Sequence, residues 1–136
     1  MPSTLVDAGI IIAALNERDR FHAVAVDLIR AFRGTLLTTW PVIGEACAMM
    51  PLRRQARVIE WLRVTPTQFV PIDDGLEFIQ AYMDRYDSLP CDFTDATLVY
   101  AAVRTGAREI WTLDSDFLVY RLPDRTRFQV IPGGKP

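Results

Sequence analysis

The sequence has few of the residues on which several large classes of protein depend. It contains two cysteines, Cys47 and Cys91, and one histidine, His22, among 136 residues. Two cysteines exclude a disulfide framework, and with a single histidine they cannot supply an ordinary structural zinc site. Any Ser–His–Asp or Cys–His machinery would have to be built on His22, because both arrangements need an imidazole.

Long hydrophobic runs are also missing. The longest apolar stretches, such as 8–15, are far shorter than the roughly 20 residues needed to span a bilayer. The first residues, Met-Pro-Ser-Thr-Leu-Val-Asp, include no basic segment followed by an apolar one, so we expect no signal peptide. The sequence therefore predicts a cytoplasmic protein with no membrane segment.

The composition is that of an ordinary folded protein. Hydrophobic residues make up 50% of the chain and charged residues 24%, which predicts one packed domain rather than a disordered chain. We expect this domain to cover residues 1–132, with a short tail at 133–136. The net charge is only −2, but 14 of the 15 basic residues are arginine, whose planar guanidinium group suits phosphate. The charge balance therefore leaves a nucleic-acid partner open.

Five segments typical of strands alternate with segments typical of helices. The strand-like segments are 4–6, 36–38, 68–72, 109–113 and 128–131. The helical segments are 8–15, 19–33, 41–50, 51–63, 73–86 and 92–105. This alternation predicts an α/β fold with three layers, in which helices cover both faces of a roughly five-stranded parallel sheet. We also expect Gly34 and Gly106 to end helices, and Leu52, Ile59 and Leu62 to face the core.

Two acidic residues directly follow predicted strands. Asp7 comes after the first strand and Asp114 after the fourth. The carboxyl ends of parallel strands form the edge at which such sheets bind their ligands. We therefore expect these two carboxylates at one shared edge.

Three further acids have unusual surroundings. Asp92 and Asp95 are three residues apart in the first turn of a predicted helix, so they share a face. Glu45 is the only charged residue in the otherwise apolar segment 41–50. A lone carboxylate in an apolar element is costly, and converging carboxylates repel one another. A divalent cation resolves both problems, and ligand sets made only of oxygen favour Mg²⁺ or Mn²⁺ over zinc.

Each acid also has a simpler interpretation. Asp7, Asp92 and Asp95 could serve only as helix caps, and Glu45 could form an ion pair with an arginine such as Arg54. Asp116 could be a solvated turn residue. Thr112 is either a β-branched strand residue or a hydrogen-bond partner of the site. Taken singly, none of these residues is a strong signal, so the prediction rests on their shared edge.

Four segments together resemble the motifs of the PIN-domain family, and within it those of VapC-type toxin ribonucleases. They are LVDAGIIIA at 5–13, TTWPVIGEA at 38–46, DFTDATLV at 92–99 and TLDSDF at 112–117. The segments follow the family's order and span nearly the whole chain. The resemblance implies an endoribonuclease that depends on Mg²⁺ or Mn²⁺, acts on RNA, and is the toxin of a type II pair with a VapB-like antitoxin.

The resemblance also implies a set of site residues. The family's acidic quartet, both catalytic and metal-binding, corresponds to Asp7, Glu45, Asp95 and Asp114. Asp92 and Asp116 are additional acids beside it, and the fourth position is either Asp114 or Asp116. Metal-assisted hydrolysis of a phosphodiester needs no side-chain nucleophile, because the metal supplies an activated water. Glu45 is then either a ligand or the group that orients that water.

Other residues outside the acidic set have two interpretations each. His22 is expected at the surface or as a helix cap. Arg53, Arg54 and Arg57 form a basic face that is either solvated or in contact with RNA phosphates. The large side chains of segments 19–33 and 51–63 make a homodimer plausible.

Several other functions compete with the ribonuclease. The run Asp114-Ser115-Asp116 resembles the Asp-x-Asp of haloacid-dehalogenase phosphatases, but little chain follows it for the rest of such a site. A receiver-type phosphoacceptor needs a nearby lysine, and the only lysine is Lys135. A PIN-domain ribonuclease of RNA processing and a non-catalytic module with an acidic cleft are the remaining alternatives.

Overall fold

The computed structural model describes residues 2–86, 89 and 91–132; the tail expected at 133–136 lies outside them. The strands are β1 (Ser3–Val6), β2 (Thr35–Thr38), β3 (Thr67–Phe69), β4 (Glu109–Trp111) and β5 (Gln129–Ile131). The helices are α1 (Ala8–Leu15), α2 (His22–Ala31), α3 (Trp40–Ala48), α4 (Gln55–Val64), α5 (Leu76–Arg85) and α6 (Phe93–Thr105). Short 3₁₀ turns cover Leu52–Arg54, Asp73–Gly75 and Ser115–Leu118.

The five strands form one parallel sheet in the order β3-β2-β1-β4-β5. This confirms the predicted three-layer α/β/α fold. The chain builds outward from β1 to β2 and β3, and then returns to the other side of β1 to add β4 and β5. In open parallel sheets, ligands bind beyond the carboxyl ends of the strands at the point where the order reverses. Here that point lies between β1 and β4.

The strand register determines which residues meet at this edge. Leu5 of β1 is in register with Leu37 of β2 and with the central residue of β4. Two residues further along each chain segment, Asp7 is therefore level with Thr39 and Thr112. The first acidic position consequently lies between two threonines at the reversal point.

The core beneath the edge is closely packed and apolar. Leu5, Ile10, Val42, Leu98 and Ile110 have no exposed surface. Each fully buried side chain of this size contributes about 1.5–3 kcal/mol to folding. Within the described residues, no helix is both long enough and apolar enough to cross a membrane.

One of the two glycines expected to end a helix does so. Gly106 has φ 81°, the left-handed conformation typical of a helix end, and follows α6. The prediction for Gly34 is wrong, because Phe32 is the C-cap of α2. Gly34 instead precedes β2, where a Cβ atom would collide with the carbonyl oxygen of Pro2.

The expected inward face of the fourth helical segment is only partly correct, because Leu62 packs against the core but Leu52 and Ile59 do not. Leu52 is 84% exposed and Ile59 45% exposed, whereas Val58 is fully buried. The segment begins with the 3₁₀ turn at 52–54, and α4 starts only at Gln55. A 3₁₀ turn has three residues rather than 3.6, so a face counted from Leu52 does not continue into α4.

Candidate active site

Asp7 lies at the junction of β1 and α1 and is 6% exposed. Its Oδ1 accepts a hydrogen bond from the Ala8 amide at 2.8 Å. Its Oδ2 accepts one from the Thr112 hydroxyl at 2.7 Å. Asp7 therefore caps α1, as its simpler interpretation proposed, and is also held in a fixed orientation at the edge of the sheet.

Thr112 connects this carboxylate to the loop that follows β4. While its hydroxyl donates to Asp7, the same oxygen accepts from the Asp114 amide at 3.0 Å. Asp114 Oδ1 in turn accepts from the Asp116 amide at 2.9 Å, at the start of the 3₁₀ turn. A chain of hydrogen bonds thus positions Asp7, Asp114 and Asp116 relative to one another.

Helix α6 contributes the next two acids. Asp92 is its N-cap, and Asp92 Oδ1 accepts from the Asp95 amide at 2.8 Å. The capping role expected for Asp92 is therefore present, and its side chain is exposed. Asp95 is 7% exposed, and its Oδ2 accepts from the Tyr120 hydroxyl at 3.1 Å.

The carboxylates that come closest to one another belong to α6 and to the turn after β4. One carboxylate oxygen each from Asp95, Asp114 and Asp116 lies within 4.8 Å of the other two. Asp116, expected as an additional acid or as the alternative to Asp114 at the fourth position, belongs to this group together with Asp114. Asp7 adjoins it through Thr112. Three to four oxygen ligands from separate segments suit a hard divalent cation.

Glu45 lies on α3 and is half-buried. The side chain of Thr94, in the first turn of α6, partly offsets the rise in the pKa of Glu45. Glu45 does not pair with Arg54. In the described part of the chain, the ion pair present joins Arg108 and Asp124, at 3.6 Å.

Burial and mutual repulsion raise the pKa of several carboxyls. Desolvation is the largest cause at Asp7, Asp95, Asp116 and Glu45, and neighbouring carboxylates add to it at each. Burial, followed by repulsion from Asp92 and Asp7, raises the pKa of Asp95 to about 8. Such shifts are typical of carboxylates that lack a compensating cation. A divalent ion at this point would favour the charged forms of all of these acids.

Two features of the site have no clear signal in the sequence. The first is Tyr120, which is buried and donates to Asp95 across 25 residues of chain. The second is the pair of hydroxyls of Thr39 and Thr97, 2.7 Å apart, which joins the start of α3 to α6. The resemblance included both threonines in its motifs without assigning them a role. The contacts that Thr39 and Tyr120 make with α6 become visible only in the packed structure.

The histidine and the arginines lie elsewhere. His22 Nδ1 is 2.8 Å from the carbonyl oxygen of Ala13, near the end of α1, which agrees with a capping role. Arg53, Arg54 and Arg57 line a depression of about 600 Å³ together with Arg18.

Residues 4–122 of the chain match the sequence-family model of the PIN domain. The chain belongs to the PIN-domain family. The solved structures similar to this PIN domain include the crystal structure of Mycobacterium tuberculosis VapC20, described as a toxin that cleaves the sarcin-ricin loop. The two share 23% identity with a TM-score of 0.76, over 91% of this chain and 98% of VapC20. No curated protein matches the sequence significantly.

Proposed function

We propose that this PIN domain is a metal-dependent endoribonuclease that hydrolyses RNA phosphodiester bonds as the toxin of a type II toxin–antitoxin pair. The observation that carries the proposal is the convergence of Asp7, Asp95, Asp114 and Asp116 at the β1/β4 edge. A structural role alone does not explain so many acids, because their repulsion opposes folding.

The donor set fits Mg²⁺ or Mn²⁺. All candidate ligands are carboxylates, and hard cations of this kind prefer oxygen. Asp95 and Asp114 would hold the ion, with Asp116 and Asp7 as direct or water-mediated ligands. When bound, such an ion activates water and neutralises charge on the phosphate.

The chain's own residues fix the geometry of this chemistry. Thr112 donates to Asp7 and Tyr120 donates to Asp95, so each carboxylate is held in one orientation. Outer hydrogen bonds of this type orient metal ligands. Glu45 lies on a different helix and is less buried, a position suited to accepting a proton from the attacking water. His22 is engaged with Ala13 and takes no part.

The toxin role is supported by the family and by the likeness to VapC20. The partner we propose is a VapB-like antitoxin that covers the acidic edge and stops cleavage. A homodimer is compatible with the exposed apolar side chains of Leu52 and Val64. A matched test is growth of cells that express the chain alone or with the protein encoded beside it, and growth arrest in the first case only is expected.

RNA cleavage by the purified protein, freed of any bound partner, tests the enzymatic proposal directly. Cleavage is expected with Mg²⁺ or Mn²⁺ and is expected to stop in EDTA. Asp95→Asn keeps the side-chain volume and should abolish cleavage, whereas Asp84→Asn, which changes an exposed acid on α5, should not. Cleavage that continues in EDTA, or that survives Asp95→Asn, would contradict the proposal.

A further inference from the structure

The described part of the chain has two exposed aromatic side chains, Trp40 and Phe93. Trp40 is 60% exposed and Phe93 44% exposed. Each is the first residue of a helix, α3 and α6 respectively, and both helices supply acids or threonines to the edge described above. Both exposed rings of the described chain therefore begin helices that contribute to the acidic edge.

Trp40 is held as a flat platform. Its ring stacks on that of Phe69, with the centroids 3.9 Å apart and the planes inclined by 7°. Phe69 covers one face of the indole, and the high exposure of Trp40 leaves the rest open. A tryptophan supported in this way presents a rigid π-surface without needing to be ordered by a ligand.

The register of the sheet places this platform beside the site. Thr39 is level with Asp7, and Trp40 follows Thr39 directly. Phe69 is in register with Thr38 in the neighbouring strand. Since adjacent strands are about 4.8 Å apart, the stack lies roughly one to two strand spacings from Asp7 along the same edge.

The surroundings of the stack suit a flat, uncharged ligand. Trp40 and Phe69 border a depression of about 350 Å³, whose other lining residues include Pro71, Ile72 and Asp73. Among the described residues that line it, Asp73 is the only charged one, and its carboxylate would repel a phosphate group. An unpaired nucleobase has the required flat shape and carries no charge, and stacking on aromatic rings is a common way of binding single-stranded RNA.

We infer that Trp40, supported by Phe69, is a stacking platform for one unpaired base of the RNA substrate next to the bond that is cleaved. The inference rests on the proposed ribonuclease function and assigns Trp40 a role in binding the substrate. Base stacking tolerates any base but requires that base to be free of a duplex. The platform therefore selects for unpaired RNA.

Steady-state cleavage of an unpaired RNA tests the role of Trp40. A stacked base is worth about 1–3 kcal/mol, so Trp40→Leu should raise KM by about 5- to 150-fold while kcat changes little. Trp40→Phe should retain most of the affinity, because a flat ring remains. Val103→Ala removes an exposed apolar side chain near the end of α6, away from the acidic edge, and should leave KM unchanged.

Fluorescence in EDTA separates this inference from the proposed catalysis. In Trp61→Phe the remaining indoles are Trp40 and the buried Trp111. A single-stranded oligonucleotide should quench this protein, whereas a duplex of the same sequence should not, and adding Trp40→Leu should remove the quenching.

An unchanged KM in Trp40→Leu, or equal losses for single-stranded and duplex RNA, would overturn the inference and leave the proposed ribonuclease intact. The same holds if Trp40→Leu weakens binding of the antitoxin but not of RNA, because the surface would then be a protein contact. A parent protein that neither cleaves nor binds RNA would overturn both.

Discussion

The acidic edge and the depression lined by Arg18, Arg53, Arg54 and Arg57, here called the arginine depression, each gather charges mainly of one sign, but they are built differently. Asp7 and Asp95 are almost fully buried, and neighbouring side chains hydrogen-bond each of them. Arg53, Arg54 and Arg57 are exposed. The ion pair found within the described residues, Arg108–Asp124, involves neither cluster.

This difference indicates that the acidic edge positions the reacting groups and that the arginine depression attracts RNA. Buried groups with fixed hydrogen bonds keep a precise geometry and bear a large electrostatic cost, which a bound cation relieves. Exposed arginines incur little cost and move freely, so they suit long-range attraction of a polyanion. We therefore expect changes at the acidic edge to affect the chemical step, and changes in the depression to affect salt-dependent binding.

The largest effect is expected from neutralising the buried acids. Loss of an outer hydrogen-bond partner already lowers metal affinity or activity by 10- to 100-fold, so Asp7→Asn and Asp95→Asn should lower the cleavage rate by more than about 100-fold. The same variants should be at least as stable as the parent without metal, because they remove repulsion. Rates from single-turnover assays and melting temperatures in EDTA provide the measurements. An Asp7→Asn protein that cleaves at the parental rate would show that the buried cluster is not catalytic.

A smaller loss is expected when the positioning of Asp7 is weakened but its charge is kept. Thr112→Val replaces a fully buried hydroxyl with a methyl group of similar size, and removes the hydrogen bonds to Asp7 and from the Asp114 amide. We expect cleavage to fall by about 10- to 100-fold. Thr112→Ser keeps the hydroxyl and serves as the control; it should recover most of the activity. Equal rates for the valine and serine variants would contradict the positioning role.

Metal and pH should act together on stability. Asp95 has its pKa raised from 3.8 to about 8 in the folded protein, so the folded state keeps a proton that the unfolded chain releases. The contribution of this group to stability is then complete below about pH 4 and is lost as the pH rises towards 8. Metal-free protein should therefore melt at a lower temperature at pH 8 than at pH 6.

A divalent ion should reverse this trend, because it binds the deprotonated carboxylates. At 100 times its Kd, an ion adds about 2.7 kcal/mol to the free energy of unfolding. Melting curves with and without Mn²⁺ or Mg²⁺ at both pH values measure the effect, and Asp95→Asn should remove most of it. Melting temperatures that neither ion changes at either pH would rule out a metal centre here.

The arginine depression should show a modest effect of a different kind. Arg54→Ala should weaken RNA binding and reduce the slope of log K against log salt by about 0.7, the value for one phosphate contact on a single strand. Its kcat at saturating RNA should stay unchanged. Binding isotherms at several salt concentrations test this, and a slope equal to that of the parent would place the RNA elsewhere.

The smallest effect is expected at His22. Its ring caps the carbonyl oxygen of Ala13, so His22→Ala should cost about 0.5–1.5 kcal/mol of stability, the usual worth of one hydrogen bond. The cleavage rate per folded molecule should not change. Denaturant unfolding and a rate measured well below the melting temperature separate the two effects. A large loss of rate would indicate imidazole chemistry and contradict the metal-carboxylate proposal.

The sequence alone determined the fold class and the edge at which the acids lie. Apolar segments followed at once by Asp7 and Asp114 predicted buried strands ending in carboxylates, and the parallel topology placed both at one edge. That inference works because the order of strand and helix is local information, and parallel strands end on the same side. Local patterns failed where a 3₁₀ turn changed the helical phase, so that Val58 rather than Leu52 was buried.

Only the tertiary structure decided how the acids are held and which of them meet. Asp116 joins Asp95 and Asp114 because the turn after β4 folds towards α6, and Tyr120 reaches Asp95 from a segment 25 residues away. The stacking of Trp40 on Phe69 likewise depends on the pairing of β2 with β3. These contacts join residues far apart in the chain, and their distances follow from packing, which no local pattern of residues encodes.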